Sequence, residues 1–364
     1  MPLPRLAWFT AGMETKRMAE TQSSGLLPGI PELNRSWRFI TRNRAAKEFL
    51  KGILFRPFPL LFKKWDAYRK WKDARVFAGP GQELSPGNSL RRRFFRSYRL
   101  KFPGEGLKHP CITGESKLAV AVHVYYPDIF WEILQLLEVH TPGQFKLYIT
   151  TTEELTESIR QMLADSHFDY FLLPVQNRGR DVLPFLKVLP FIFRDGYELL
   201  LKIHTKGSNH LNKKELWKDD LFGKLIGKAA LQNNLEVLAR NPEIGMLVPV
   251  GHILPMWIYY GANAGRVHTL CDAMGLGKKQ LESLHFAGGT MFFARKEALQ
   301  PVLKLGLTEQ DFEPEGSQLD GTLAHAMERV FGAAVLASGL HLADTDSSPE
   351  KPCCHVTVNH SFSL

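Results

Sequence analysis

Five short apolar runs between residues 117 and 250 are each separated by a stretch of helical spacing. The first, Leu118-Ala-Val-Ala-Val-His-Val124, is too short for a helix and barely interrupted by a polar residue, the pattern of a strand covered on both faces. Phe145 to Thr150, Tyr170 to Leu173, Tyr197 to Ile203 and Gly245 to Val250 repeat it. Residues 128–139, Glu154 to Ala164, about 182–193 and a long polar stretch at about 214–239 carry the helical pattern. Strands that alternate with helices in this way predict an α/β fold with a doubly wound, mostly parallel sheet.

Beyond Val250 the alternation weakens. Met256 to Asn263 reads as an aromatic and polar loop. Phe286-Ala-Gly-Gly-Thr-Met-Phe-Phe-Ala294 reads as one strand with a Gly-Gly turn at its start. Lys296 to Leu303 and Gln318 to Phe331 read as helices, with Asp320 opening the second. Ala333 to Leu336 reads as a last strand, and 346–364 as a C-terminal tail.

The N-terminal third differs in kind. Net charge is +9 overall, yet residues 1–110 hold 23 Lys+Arg against 8 Asp+Glu and the remainder 23 against 29. The basic character therefore belongs to the part outside the α/β pattern, which suggests an anionic surface as its partner. Residues 1–34 are rich in Pro, Gly, Ser and Thr and read as poorly ordered. In 35–75 Ala46, Phe49, Leu50, Ile53 and Leu54 recur at helical spacing. Phe58, Trp65, Tyr68 and Trp71 then alternate with Lys63, Lys64, Arg69, Lys70 and Lys72. This basic amphipathic helical region suits either the surface of an anionic membrane or a pair of helices packed on the α/β domain. Residues 76–116 read as a linker punctuated by Gly79-Pro80-Gly81 and Ser85-Pro86-Gly87. A nucleic-acid partner is not expected, because no motif of that kind accompanies Arg91-Arg92-Arg93. The α/β domain itself spans 117–345.

Cys111, Cys271, Cys353 and Cys354 show neither a disulfide framework nor metal-ligand spacing, which points to a reducing compartment. Residues 1–30 show no uninterrupted apolar region, so no leader is expected, and no run of about 18 apolar residues occurs, so no spanning helix is expected. The expected location is the cytoplasm, peripheral on the inner face of the plasma membrane.

Chemistry-bearing residues gather at the expected carboxyl ends of strands, where open α/β sheets bind ligands. Asn177-Arg-Gly-Arg-Asp181 forms a strand-to-helix corner. Gly179 permits a tight turn, Arg178 and Arg180 offer forks suited to phosphate, and Asp181 is a natural helix N-cap. Lys202-Ile-His-Thr-Lys206 ends the fourth strand with Lys202, His204, Thr205 and Lys206, either a solvated strand end or part of an anion site. His123, Tyr125, Tyr126 and Asp128 stand at the end of the first strand. Gly288, Gly289 and Thr290 allow a ligand close to the backbone or simply make a tight turn. Asp320 is either an N-cap or a general base. Gly275-Leu-Gly-Lys278 lacks phosphate-loop spacing.

Five of these segments occur together and in order: Val122-His-Val-Tyr-Tyr-Pro-Asp128, Asn177–Asp181, Lys202–Lys206, Phe286–Phe292 and Gln318–His325. In this combination the chain resembles the rhamnan synthesis F family of bacterial polysaccharide assembly proteins, over about residues 117–345. The resemblance implies a GT-A-like, Rossmann-like glycosyltransferase. It would move rhamnose or a related deoxyhexose from a nucleotide sugar to a glycan or lipid-linked saccharide acceptor, as in O-antigen or cell-wall glycan. Residue roles are read from the segments themselves. His123, Tyr125, Tyr126 and Asp128 are expected to meet the nucleotide base and ribose. Asn177, Arg178, Gly179, Arg180, Asp181, Lys202, His204, Thr205 and Lys206 are expected around the diphosphate, and Gly288, Gly289 and Thr290 at the sugar. Asp320 is the candidate base. Many transferases of the GT-A type end the fourth strand with two aspartates that hold a divalent ion, and neither is present here. Cationic side chains would then stabilise the leaving diphosphate, with no metal or other cofactor expected. A non-catalytic glycan- or nucleotide-binding scaffold is the competing expectation.

Overall fold

A computed structural model describes residues 50–51, 55, 57, 62, 65, 68, 98–100, 118–141, 145–164, 166–205, 212–281, 283–316, 320–358 and 360. Its strands are β1 (Tyr98–Arg99), β2 (Leu118–Val124), β3 (Phe145–Thr151), β4 (Asp169–Pro174), β5 (Leu199–His204), β6 (Ile244–Val248), β7 (Ile253–Pro255), β8 (His285–Ala287), β9 (Phe292–Arg295), β10 (His341–Asp344) and β11 (His355–Val356). From Leu118 onward the α-helices are α1 (Pro127–His140), α2 (Thr156–Ala164), α3 (Val182–Arg194), α4 (Asn212–Ile226), α5 (Ala230–Arg240), α6 (Met256–Tyr259), α7 (Ala264–Ala273), α8 (Lys278–Leu281), α9 (Lys296–Lys304) and α10 (Leu323–Ala337).

Seven strands form one sheet in the order β10-β6-β9-β5-β2-β3-β4. The pairs β2–β3, β3–β4, β2–β5 and β6–β10 are parallel, and β9 runs antiparallel to both β5 and β6. The expected mostly parallel α/β sheet is therefore present, made mixed by the antiparallel β9. A second, smaller sheet has the order β1-β11-β7-β8.

The long apolar runs are explained by two cores. Side chains alternate across a strand. Leu118, Val120, Val122 and Val124 of β2 join one core with Leu199, Leu201 and Ile203 of β5. Ala119 and Ala121 face the other, with Leu200, Tyr148 and the apolar face of α3. With both faces covered, no position in the middle of β2 is left for a polar side chain.

Several expectations after residue 250 change. Phe286–Ala294 is two strands in two sheets, β8 and β9, joined through Gly288-Gly289-Thr290. Ala333–Leu336, apolar enough for a strand, belongs to α10, which packs so closely on β8 that a Cβ on Gly332 would stand 2.1 Å from the His285 carbonyl oxygen. Met256–Tyr259 is helical. In the segment read as a tail, β11 pairs with β1 and β7, and Cys353, Cys354, Val356 and Val358 are buried. The basic helical region at 35–75 lies outside the described residues except for scattered positions, at which the rings of Phe55, Phe62, Trp65 and Tyr68 meet tilted or edge to face. Among the described residues no helix is long and apolar enough to cross a membrane.

Candidate active site

The strand register assembles the site. The chain runs β2, β3, β4 outward on one side of β2 and then returns to place β5 on the other. The reversal puts the carboxyl ends of β2 and β5 at the place where open α/β sheets hold ligands, and the small crevice there is filled by its own side chains, with no room for a water molecule. His123 and His204 are register partners there, and His123 is likewise opposite Thr150 of β3. The period of two puts His123, Thr150, Lys202 and His204 on the face that carries α3. Together with Asp181 they line the crevice, apart from His204, which stands at its edge.

Asp181 occupies the N-cap position of α3, as its residue type predicts, but makes no capping bond. Its carboxylate instead accepts the Lys202 ammonium at 2.6 Å and the Thr290 hydroxyl at 2.5 Å, with His204 Nδ1 at 3.5 Å. Lys202 also donates to the Thr290 carbonyl at 2.8 Å, and its Nζ sits 5.3 Å from the Phe185 ring centre. Burial works against the Asp181 anion, but His204, Lys202 and the bonds from Lys202 and Thr290 hold its pKa far below the usual carboxylate range. Burial lowers His123 to about 4, partly opposed by Asp181, so its imidazole is neutral at pH 7. His123 Nδ1 lies 3.1 Å from the Thr150 hydroxyl.

Antiparallel β9 delivers Thr290. Its amino end lies where the parallel strands finish, since Phe292 is the partner of Lys202. Thr290 has φ 53°, a left-handed conformation that a β-branched residue avoids. This conformation turns both its hydroxyl and its carbonyl onto the Asp181–Lys202 pair. The preceding Gly289, at φ 91°, donates its N–H to Glu328 of α10 at 2.9 Å. The Gly-Gly-Thr turn is thus tied to α3 and β5 at one end and to α10 at the other.

The other expected site residues divide into two groups. Thr205 is buried; its hydroxyl accepts the Tyr125 and Tyr126 N–H groups at 2.8 and 3.0 Å, fixing the β2–α1 corner. Tyr125 and Asp128 project outward from that corner. Arg178 donates through Nε to the Phe312 carbonyl at 2.8 Å, which joins the α3 corner to the 308–314 segment. Gly179 has φ +68°, and a Cβ there would stand 2.5 Å from Leu183 Cβ. Asn177 and Arg180 are exposed at the corner, with Arg180 also left-handed at φ 55°. Lys206 lies outside the described residues.

Asp320 does not open a helix. Thr322 caps α10, in a capping box with His325. Asp320 reaches back to the Ala262 N–H at 2.9 Å and the Asn263 side-chain amide at 2.5 Å. Burial opposes its ionisation, yet these bonds and the nearby Arg329 keep its pKa below the ordinary value. His325 is lowered by burial and by Arg180, which places α10 beside the α3 corner. Thr150, Glu328 and His325 are thus participants not chosen from sequence. The strand end at Thr150 and the one-turn spacing from His325 to Glu328 were their only signals.

The expectation that the protein has no place for a metal does not stand, although the ligand set lies away from this crevice. Lys202 and Arg178, two of the cations meant to replace an ion, are engaged by Asp181 and the Phe312 carbonyl. Asp344, Cys353 and His355 present ligand atoms within 4.8 Å of one another. Separately from the metal question, a mannosyltransferase from Pyrobaculum calidifontis, solved in complex with GDP-Man and Mn2+, is among the similar structures, 13% identical over 71% of this chain and 58% of that one; at a TM-score of 0.30 its ligands say nothing about this chain.

Two strains of Xanthomonas campestris pv. campestris carry a protein, the uncharacterised WxcX, that is 36% identical over 225 residues. The match covers 60% of this chain and 31% of WxcX, so the chain spans about a third of that relative's length. The family model of rhamnan synthesis protein F matches residues 107–340, a stretch that contains all five motif segments. With the match running from before β2 to the end of α10, the chain belongs to the rhamnan synthesis protein F family.

Proposed function

We propose that the protein is a glycosyltransferase of polysaccharide synthesis that takes a sugar from a nucleotide donor at the β2–β5 crevice. The observation that carries this reading is the meeting of the motif segments around Asp181: His123 from β2, the α3 corner, Lys202 and His204 from β5, and Thr290 from the Gly-Gly-Thr turn. Family membership supports it independently.

In this reading Tyr125 and Tyr126 contact the base and ribose, and Arg180 and Asn177 lie along the diphosphate. Gly288 and Gly289 give the sugar close access to the backbone. Neutral His123 supplies a hydrogen-bond acceptor or donor at the floor of the crevice. Asp320 is the base toward the acceptor hydroxyl if the anomeric centre inverts. The transferred sugar is rhamnose or a related deoxyhexose, and the acceptor is a lipid-linked saccharide or growing glycan. Residues 35–75 hold the protein to an anionic membrane surface at the inner face of the plasma membrane.

Purified protein is to be incubated with a panel of nucleotide sugars and a glycolipid acceptor, with products analysed by mass spectrometry. Transfer from one donor class, lost in Asp181→Ala, is the expected result. Heat of donor binding with no transfer and no donor hydrolysis would favour the scaffold instead, a reading to which the mutual satisfaction of Asp181, Lys202 and Thr290 also lends support. Failure to sediment with anionic liposomes at low salt would remove the membrane part alone.

A further inference from the structure

We propose that Asp344, Cys353 and His355 form a zinc-class metal site that clamps the edge of the large sheet to the small one. Asp344 ends β10 and is fully buried, whereas His355 begins β11 and is 39% exposed along its side chain. Between them the chain makes a closed excursion. Thr345 Oγ1 accepts the Val250 N–H at 3.0 Å, the Asn233 and Asn241 amides hold the Ser347 and Pro349 carbonyls at 3.1 and 3.0 Å, and the Asp344 N–H returns to the Cys353 carbonyl at 2.9 Å. The excursion brings three chemically different ligands to one point.

His355 Nδ1 is 3.0 Å from Asp344 Oδ2 and Cys353 Sγ is 3.4 Å from Asp344 Oδ1. Two ligands held about 2.0–2.3 Å from a tetrahedral zinc stand roughly 3.3–3.7 Å apart, so small rotations of side chains seat an ion without moving the backbone. Backbone N–H groups of Asp346 and His355 already fix the Asp344 orientation, as outer partners do in metal sites. Burial pushes the Cys353 thiol up to about 11, so an entering ion displaces its proton to solvent, and the thiolate so formed selects zinc over magnesium or manganese. His355 supplies the exposed side by which an ion enters, and three protein ligands leave a fourth position for water. Two strands, β6 and β9, stand between β10 and β5, so the clamp is separate from the β2–β5 crevice and holds or fails independently of the transferase reading.

The test uses the full chain, purified under reducing conditions from zinc-supplemented culture. Elemental analysis is expected to find about one zinc per chain. Chelator is expected to lower Tm by several degrees, with recovery on adding zinc but not magnesium. Cobalt loading should give a sulfur-to-cobalt charge-transfer band. Cys353→Ser should lose that band and His355→Ala should lose the zinc, while Cys271→Ser, on α7 and outside the ligand set, keeps both. Should the variants fail to fold, the wild-type zinc content and cobalt spectrum still decide. Trace zinc with no cobalt–thiolate band in wild type, or zinc retained undiminished in both variants, overturns the site and leaves a hydrogen-bonded clamp only.

Discussion

His123 and His204 stand side by side as the last paired residues of β2 and β5, at the point where the chain reverses its direction across the sheet. They are 81 positions apart in sequence, yet one strand spacing apart in the fold. His204 faces the Asp181 carboxylate, and Asp181 in turn acts on His123.

The Asp181–Lys202 pair is expected to behave as a unit. Lys202 is 1% exposed, so removing Asp181 leaves a buried ammonium with only the Thr290 carbonyl. Asp181→Ala should cost about 3–5 kcal/mol, and Lys202→Met combined with it should recover a good part of that loss. Urea denaturation of the two singles and the double decides the matter; additive losses would show that the pair is not coupled.

Stability should fall on the acidic side of neutrality. His123 and His285 are both lowered by burial to about 4 from 6.5, so the unfolded chain binds more protons between these values. The stability each contributes is present above pH 6.5 and is lost as pH drops toward 4, to roughly 3 kcal/mol apiece at the full shift. Tm measured from pH 7.5 to 4.5 should decline, and His285→Gln should flatten the curve. An unchanged slope in that variant would place the proton uptake elsewhere.

Thr290 separates hydroxyl chemistry from backbone strain. Thr290→Ser keeps the donor to Asp181 and should be close to neutral. Thr290→Val removes it while keeping the branched shape, and should destabilise by about 1–3 kcal/mol. Comparable denaturation midpoints for the two would show that the hydroxyl is immaterial.

Asp320 has two possible duties that Asp320→Asn distinguishes. If it is the base, kcat should drop by roughly 10²–10⁴ with little change in Tm. If its purpose is to hold Ala262 and Asn263, Tm should fall and kcat should follow in proportion to the folded fraction.

Local pattern alone determined the parallel α/β part, because a strand buried on both faces must be apolar at every position, as Leu118–Val124 nearly is. The same is true of the motif segments: Gly179 and Gly289 mark the left-handed turns that bring functional groups to strand ends. Partnership was decided only in three dimensions. A lysine ending a strand carries the same letter whether it meets water or a carboxylate, and Lys202 finds Asp181 because β5 lies under the α3 corner. Gly-Gly-Thr looked like the start of one strand, since nothing local says that the chain changes sheets there. Asp320 looked like a helix cap, since its partners at 262–263 are brought near by packing of α7 on α10 rather than by sequence. Periodicity is a property of neighbours along the chain, whereas charge neutralisation depends on neighbours across it, and the folded register alone supplies those.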